Sequence, residues 1–369
     1  VTIGRSGRQL PDFPWDLLAD HAARAREHPG GVVNLSVGTP VDPVPGVLRD
    51  ALAAASNEPG YPATHGTPAL REAAVAALAR RFGVTGLDPD AVLPTIGSKE
   101  LVAWLPTLLA VRPGDIVAIP ELAYPTYEVG ARLAGAEVVR LADGERPPPG
   151  TALVWLNSPS NPTGRVLPAL ALAEAVAAAR EVGALVASDE CYLGLGWDTQ
   201  PVSVLHPAVS GGRLDGLLAV HSLSKSSSLA GYRAGFVTGD PGLVSRLLEV
   251  RKHAGMMVPR PVQSAMTAAL TDDEHVAAQR SRYAGRRDVL RAALAAAGFD
   301  VHHSEGGLYL WATRGENAWD SVAWFAERGV LVAPGTFYGP AGERHVRVAL
   351  TATDERVSAA ADRLAHARV

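Results

Sequence analysis

The densest chemistry in this chain lies in Ser222-Leu-Ser-Lys225-Ser-Ser-Ser-Leu-Ala-Gly231-Tyr-Arg233-Ala-Gly235-Phe. An amine, several hydroxyls and a guanidinium fall within twelve residues, directly after the apolar run 217–220. The chain holds three lysines, Lys99, Lys225 and Lys252, against thirty-one arginines. A composition so poor in lysine keeps one where a strand should end in a hydroxyl-rich loop. Lysine, unlike arginine, can shed its proton and attack a carbonyl carbon. The stretch therefore points to a Schiff base at Lys225, with Ser222, Ser224 and Arg233 arranged for a phosphate.

Two other readings of Lys225 compete. An isolated Ser-x-x-Lys most often ends in a surface lysine. The same spacing is the nucleophile motif of penicillin-binding proteins and β-lactamases. Those enzymes need Ser-Asp-Asn and Lys-Thr-Gly partners, and neither string occurs here. What favours the Schiff base is position, since open α/β sheets place their ligands beyond strand ends.

Further candidates close other apolar runs. Gly97-Ser98-Lys99-Glu100 follows the run 91–96 and opens a helix. Its free amide donors and dipole suit a phosphate, although plain capping by Ser98 explains it equally well. Asn157-Ser-Pro-Ser-Asn161-Pro-Thr-Gly164 reads locally as a turn cluster, yet an Asn at a strand end can donate to a ring oxygen. Ser188-Asp189-Glu190-Cys191-Tyr192 ends another strand. A carboxylate there is costly unless it meets a cation, and a protonated pyridine nitrogen is such a cation. Tyr192 could reach the phenolic oxygen that Asn161 reaches.

These residues need a scaffold that brings strand ends together. Short apolar runs at 115–119, 151–156, 184–188 and 217–220 alternate with helical stretches at 68–81, 99–110, 126–133 and 169–181. That alternation predicts an α/β fold with a mostly parallel central sheet flanked by helices. Residues 137–141 and 234–238 read as further strands. Beyond 241 the pattern turns helical (241–253 and 262–297), then gives short strands near 308–312, 330–332 and 346–349 and a helix from Asp354. This predicts a smaller α+β domain. The expected division is residues 36–258 for the large domain, and 1–35 with 259–369 for the small one.

The rest of the chain mainly excludes. An apolar fraction of 47%, a charged fraction of 20% and a net charge of −4 describe a globular protein without a basic surplus for nucleic acid. The single cysteine, Cys191, forms no internal disulfide framework and fits a reducing compartment. Residues 1–9 lack an apolar leader, and no run spans a bilayer, so a cytoplasmic location is expected. Zinc cysteine pairs, Walker A and His-Glu-x-x-His strings are missing, and Gly194-Leu-Gly196 lacks the third glycine of a dinucleotide fingerprint. His65, His221, His253, His302 and His303 show no metal-ligand spacing.

In order, Asn-Pro-x-Gly, Ser-Asp-Glu-x-Tyr, and Ser-x-Ser-Lys with an arginine eight residues beyond the lysine resemble the class I/II aminotransferases of pyridoxal 5′-phosphate fold type I. The resemblance runs from about Asn34 to the C-terminus. It implies that Lys225 holds the cofactor aldehyde and moves the proton between Cα and C4′, and that Asp189 keeps the pyridine nitrogen protonated. Asn161 and Tyr192 would contact the cofactor O3′, and Tyr124 would stack on the ring. The backbone at Gly97, Ser98 and Lys99, with Ser222, Ser224 and Arg233, would cradle the phosphate. Arg347 would take the substrate α-carboxylate, with the loop of Gly38 closing over it. Tyr61 would reach the phosphate of a neighbouring subunit, which implies a homodimer. Read without the resemblance, Arg347 is an ordinary salt-bridged arginine, and Tyr61 and Tyr124 are core aromatics.

The implied reaction moves an amino group between an amino acid and a keto acid, glutamate and 2-oxoglutarate being the usual pair. Whole strings, among them Phe13-Pro-Trp15-Asp and Leu35-Ser-Val-Gly-Thr-Pro-Val-Asp-Pro-Val44, look like the actinobacterial succinyldiaminopimelate transaminases. The donor expected on that basis is N-succinyl-LL-2,6-diaminopimelate, of lysine and cell-wall synthesis. The segment 251–259, with Lys252, is a candidate receiver for its distal carboxylate; a solvated helix end is the plainer reading. The alternatives are an aspartate or aromatic aminotransferase, a carbon–sulfur β-lyase of the same fold, and a non-catalytic regulator. The regulator would need a DNA-binding region for which the chain has no room.

Overall fold

The computed structural model describes residues 10–11 and 13–365. Residues 1–9, where no leader was read, lie outside the described residues, as do Asp12 and the last four. In chain order the strands are β1 Val33–Asn34, β2 Val92–Ile96, β3 Ile116–Pro120, β4 Glu137–Leu141, β5 Thr151–Asn157, β6 Leu185–Asp189 and β7 Leu217–Ser222. They continue as β8 Ala234–Gly239, β9 Asp300–His302, β10 Tyr309–Thr313, β11 Val330–Leu331, β12 Ala333–Pro334 and β13 Val346–Ala349.

Seven strands form the large sheet, in the order β2-β8-β7-β6-β5-β3-β4. Only β8 runs against its neighbours, pairing antiparallel with β2 and β7. Strand residues alternate between two apolar layers. Leu217 and Ala219 enter the layer on one face, and Leu218 and Val220 the layer on the other. Burial on both faces is what the unbroken apolar runs predict, because helices cover each side of a parallel sheet. Thr67 starts one covering helix, Pro68–Phe82, by accepting the Leu70 amide at 3.2 Å, and Gly83 ends it in the left-handed region.

The sheet sets the site by register. Asn157 pairs with Asp189 at the ends of β5 and β6, and Ser222 pairs with Gly235 where β7 ends and β8 begins. All of these positions lie along one edge, where open α/β sheets bind ligands.

A second, antiparallel sheet of order β12-β13-β10-β9 carries Arg347 on β13 beside β10. β1 pairs in parallel with β11 as a separate two-stranded sheet beside it. These elements share an apolar cluster that includes Val33, Leu310, Phe325 and Leu350.

The division expected at 258/259 does not follow the packing. Helix Arg260–Thr271 places Val262, Met266, Ala269 and Leu270 in the cluster of the large sheet, against helices Gly46–Ala54 and Pro68–Phe82. Composition could not show this, because an apolar helix face does not declare which sheet it covers. The helical stretch expected over 262–297 is likewise two helices, broken at Asp272, whose carboxylate accepts the Glu274 amide at 2.9 Å and starts Glu274–Ala296.

Candidate active site

A cavity of about 1150 Å³ opens between the large sheet and the small one. Lys225, Asp189, Asn161, Tyr124, Tyr192 and Arg347 line it, so the cavity gathers the sequence candidates from both halves of the chain.

Lys225 sits in the turn after β7, where Ser222 Oγ accepts the Ser224 amide at 3.2 Å. Tyr283 of the long helix steadies it from behind by donating to the Lys225 carbonyl at 3.3 Å. The Lys225 ammonium donates to the Gly38 carbonyl. Burial pushes its pKa down, and the Arg347 and Arg233 charges add to that push against the opposing Tyr309 and Cys191. A lysine shifted this way holds more of the free amine that a carbonyl requires.

Asp189 is buried at the end of β6. Tyr127 donates to its Oδ2 at 2.9 Å and the Cys191 amide to its Oδ1 at 3.2 Å. Asn157 Nδ2 donates to the Asp189 carbonyl at 2.8 Å, while Asn157 Oδ1 accepts the Asn161 amide at 2.7 Å. Burial raises the Asp189 pKa, and those donors offset it in part. No Lys, Arg or His of the described residues forms an ion pair with this carboxylate. A buried carboxylate aimed into a cavity without a cation has room for one.

The anion cradle forms where helix Ser98–Leu108 begins. Gly97 precedes it with φ +72°, and a Cβ there would fall 2.3 Å from the Arg233 guanidinium, so only glycine allows the approach. Arg233 NH1 donates to the Ala230 carbonyl at 2.6 Å. Ser222, Ser224, Ser98 and Lys99 line the same side. Behind the cradle, Arg251 grips Glu100 at 2.9 and 3.1 Å, and Glu100 also accepts the Ile96 amide at 3.3 Å. This pair, with Arg251 buried and Glu100 half-buried, ties β2 to the first turn of the helix.

Arg347 is buried, and its NH1 donates to Asn161 Oδ1 at 2.8 Å and its NH2 to the Ser36 carbonyl at 2.6 Å. Its guanidinium lies over the Tyr309 ring at 3.9 Å and the Tyr338 ring at 4.9 Å. Nε has no partner among the described residues, and no carboxylate pairs with the group. The salt-bridged alternative therefore does not describe Arg347; the group is a buried cation open to an incoming carboxylate.

Tyr124 lines the cavity edge-on to Tyr127 at 5.7 Å, and burial lifts its phenol to about 12. Tyr192 meets the Tyr309 hydroxyl at 3.1 Å. Tyr61 is 96% exposed and does not line the cavity of its own chain. Lys252 lies on helix Pro241–Ala254, paired with Glu249 at 2.6 Å, and is not at the cavity. Of the site, sequence reasoning missed Tyr127, Asn157, Arg251 and Tyr309. Asn157 stands inside the string singled out for Asn161, and Tyr127 lies three residues beyond Tyr124. Arg251 and Tyr309 depend on long-range packing that no local pattern reports.

The chain matches the family described as aminotransferase class I and II over residues 30–364. It belongs to that family. This aminotransferase is 66% identical over 363 residues to a probable aminotransferase of Mycobacterium tuberculosis, Rv1178, covering 98% of this chain and 87% of that one. It is 63% identical over 362 residues to the 4-dedimethylamino-4-oxo-anhydrotetracycline transaminase OxyQ of Streptomyces rimosus, covering 97% and 99%. Among solved structures, a probable N-succinyldiaminopimelate aminotransferase from Thermus thermophilus matches with TM-score 0.86 and 30% identity, covering 96% of this chain and 100% of that one.

The aminotransferase uses pyridoxal 5′-phosphate, as its family does. Its residues fit that group on three counts. Asp189 has no cationic side chain paired with it among the described residues, Gly97 and Arg233 form a cradle that a Cβ would fill, and the Lys225 amine reaches the cavity. No described helix is long and apolar enough to cross a membrane, and no described cluster of His, Cys, Asp and Glu could hold a metal ion.

Proposed function

We propose that this aminotransferase transfers the amino group of N-succinyl-LL-2,6-diaminopimelate to 2-oxoglutarate, giving the keto acid and glutamate. The observation that carries this is the reach of the cavity. At about 1150 Å³ it exceeds the roughly 300–1,000 Å³ usual for a small-molecule site, which leaves room for a donor beside the cofactor. Its lining includes Arg347 and Lys225 and also Phe13 and Leu17 of the N-terminal segment. A donor of aspartate size held at Arg347 and Lys225 would make little use of that apolar segment.

Each residue then has a task. Arg347 takes the α-carboxylate through both arms of its fork. Lys225 Nζ removes and returns the proton at the donor Cα. Asp189 holds a proton on the ring nitrogen, Asn161 and Tyr192 hold the ring oxygen, and Tyr124 covers the ring. When bound, the cofactor supplies the electrophilic carbonyl and the electron sink. Lys99 gives its backbone to the phosphate cradle, and its side chain rather than that of Lys252 takes the distal carboxylate. Lys99 lines the cavity and faces the Phe13 ring at 5.7 Å with no acidic partner among the described residues. Tyr61, exposed on its own chain, reaches the cradle of a second copy in a homodimer.

A second reading draws on the mouth. Trp319, Phe337, Trp15 and Phe13 line it, which suits a flat polycyclic acceptor. The Streptomyces relative is named for such a compound. Amine transfer across a donor panel with 2-oxoglutarate separates the readings. The succinylated donor should outpace aspartate by at least about tenfold in kcat/KM, the worth of one well-placed charged contact. Equal rates, or faster amination of a polycyclic ketone from glutamate, would replace the first reading with the second.

A further inference from the structure

Tyr309 meets three site residues at once. It is buried on β10, one step diagonal to Arg347 across the β10–β13 pair. Its ring face lies under the Arg347 guanidinium. Its hydroxyl presses on Gly38, where a Cβ would come within 2.2 Å of it. The hydrogen-bond partner of that hydroxyl is the hydroxyl of Tyr192, at 3.1 Å, with the two rings edge to face.

Proton accounting decides the direction. A phenol has one proton to give and can also accept. Tyr192 can serve an oxygen in the cavity only if its own proton is free to point there. That requires Tyr309 to be the donor of the pair. Hydrogen bonds in series strengthen one another, so a Tyr192 that accepts from Tyr309 becomes the better donor.

We propose that Tyr309 is a positioning residue that donates to Tyr192 and so turns the Tyr192 proton toward the ring oxygen of the bound cofactor. The proposal rests on the assignment of Tyr192 to that oxygen. An oxygen that receives a stronger hydrogen bond is a weaker base, and it holds less firmly the proton it shares with the Lys225 nitrogen. Removing the Tyr309 hydroxyl should therefore raise the pH at which that nitrogen loses its proton.

The test is the pH midpoint of the visible absorbance of the holoenzyme, compared among parent, Tyr309→Phe and Tyr192→Phe. Phenylalanine keeps the ring under Arg347, so the carboxylate site stays formed. Tyr309→Phe should raise the midpoint by about 0.5 unit, and Tyr192→Phe by more, since Tyr192 makes the hydrogen bond and Tyr309 only modulates it. A midpoint that is unchanged or lowered in Tyr309→Phe while Tyr192→Phe raises it overturns the role of Tyr309 and leaves that of Tyr192. No shift in either variant overturns the assignment of Tyr192, and the role of Tyr309 with it.

Discussion

At the floor of the cavity, Asp189, Asn157 and Asn161 are buried in one continuous run of hydrogen bonds. At the mouth, Phe13, Leu17 and Leu10 remain 54%, 58% and 46% exposed, and the contacts are ring on ring. Phe13 packs on Trp15 at 5.6 Å, Trp15 on Phe337 at 5.6 Å, and Phe337 on Trp319 at 5.8 Å. Hydrogen bonds are directional and costly to leave half made, so a floor residue cannot change alone. Apolar contact is non-directional and scales with area, so a mouth residue can change with small effect on its neighbours. The floor fixes what reaction occurs, and the mouth is free to fix which donor it occurs on.

The floor should break abruptly. Lys225→Ala should lower the transfer rate by about 10⁴-fold, the upper range for a positioned general base, while circular dichroism stays unchanged. Activity within tenfold of the parent would mean that the floor is not where the chemistry lies.

One place behind the floor is left uncompensated, and it sharpens the contrast. Glu190 follows Asp189 into the core, where its Oε1 accepts the Val204 amide at 2.7 Å and its Oε2 stands 3.8 Å from His221 Nε2, beyond hydrogen-bond reach. Burial lifts the Glu190 carboxyl to about 7 and depresses His221 to about 3, so His221 brings no charge to meet it. The unfolded chain releases the Glu190 proton near 4.5, whereas the folded chain holds it to about 7. Between those values the unfolded state binds fewer protons, and stability falls as pH rises; above about 7 the loss is complete and constant. Glu190→Gln removes that loss and should stabilise the protein by up to about 3 kcal/mol at pH 8 and by little at pH 5. Thermal midpoints of both proteins at the two pH values give the answer. An equal difference at both would show that Glu190 does not retain its proton on folding.

Legibility in the sequence followed the same divide. Lys225, Asp189, Asn161 and Arg233 stand at or beside strand ends, marked by the switch from an apolar run to a polar cluster, and the structure brings all of them to one edge of the sheet. Local pattern sufficed there because a buried strand and its end are local features. Four features escaped it. Tyr309 depends on pairing between strands that lie more than thirty residues apart, as its register with Ala349 shows. Arg251 looked like part of a basic helix end until Glu100 was found against it. Lys252, one residue on, attracted attention for its rarity and proved to be paired at the surface with Glu249. Helix Gly46–Ala54 was not seen at all; it follows Pro45 without a side-chain cap, and its single fully buried residue, Leu48, makes no stripe.

The mouth gives the smallest effect and the finest discrimination. Phe13 is about half exposed and stands 5.7 Å from the Lys99 ammonium. Complete burial of such a ring is worth about 1.5–3 kcal/mol, so a half-buried one that a long donor completes is worth about 1 kcal/mol to binding. Phe13→Ala should therefore raise KM for the succinylated donor about fivefold, with kcat nearly unchanged because the ring contacts of Phe13 are with Trp15 and Lys99 and not with Lys225 or Arg347. For aspartate, which would end near Arg347, KM should not move. Equal rises for both donors would show that the N-terminal segment organises the floor itself, and the separation between the two regions would then fail. No rise for either would show that the donor stops short of the mouth, which would leave the length of the cavity unexplained by its substrate.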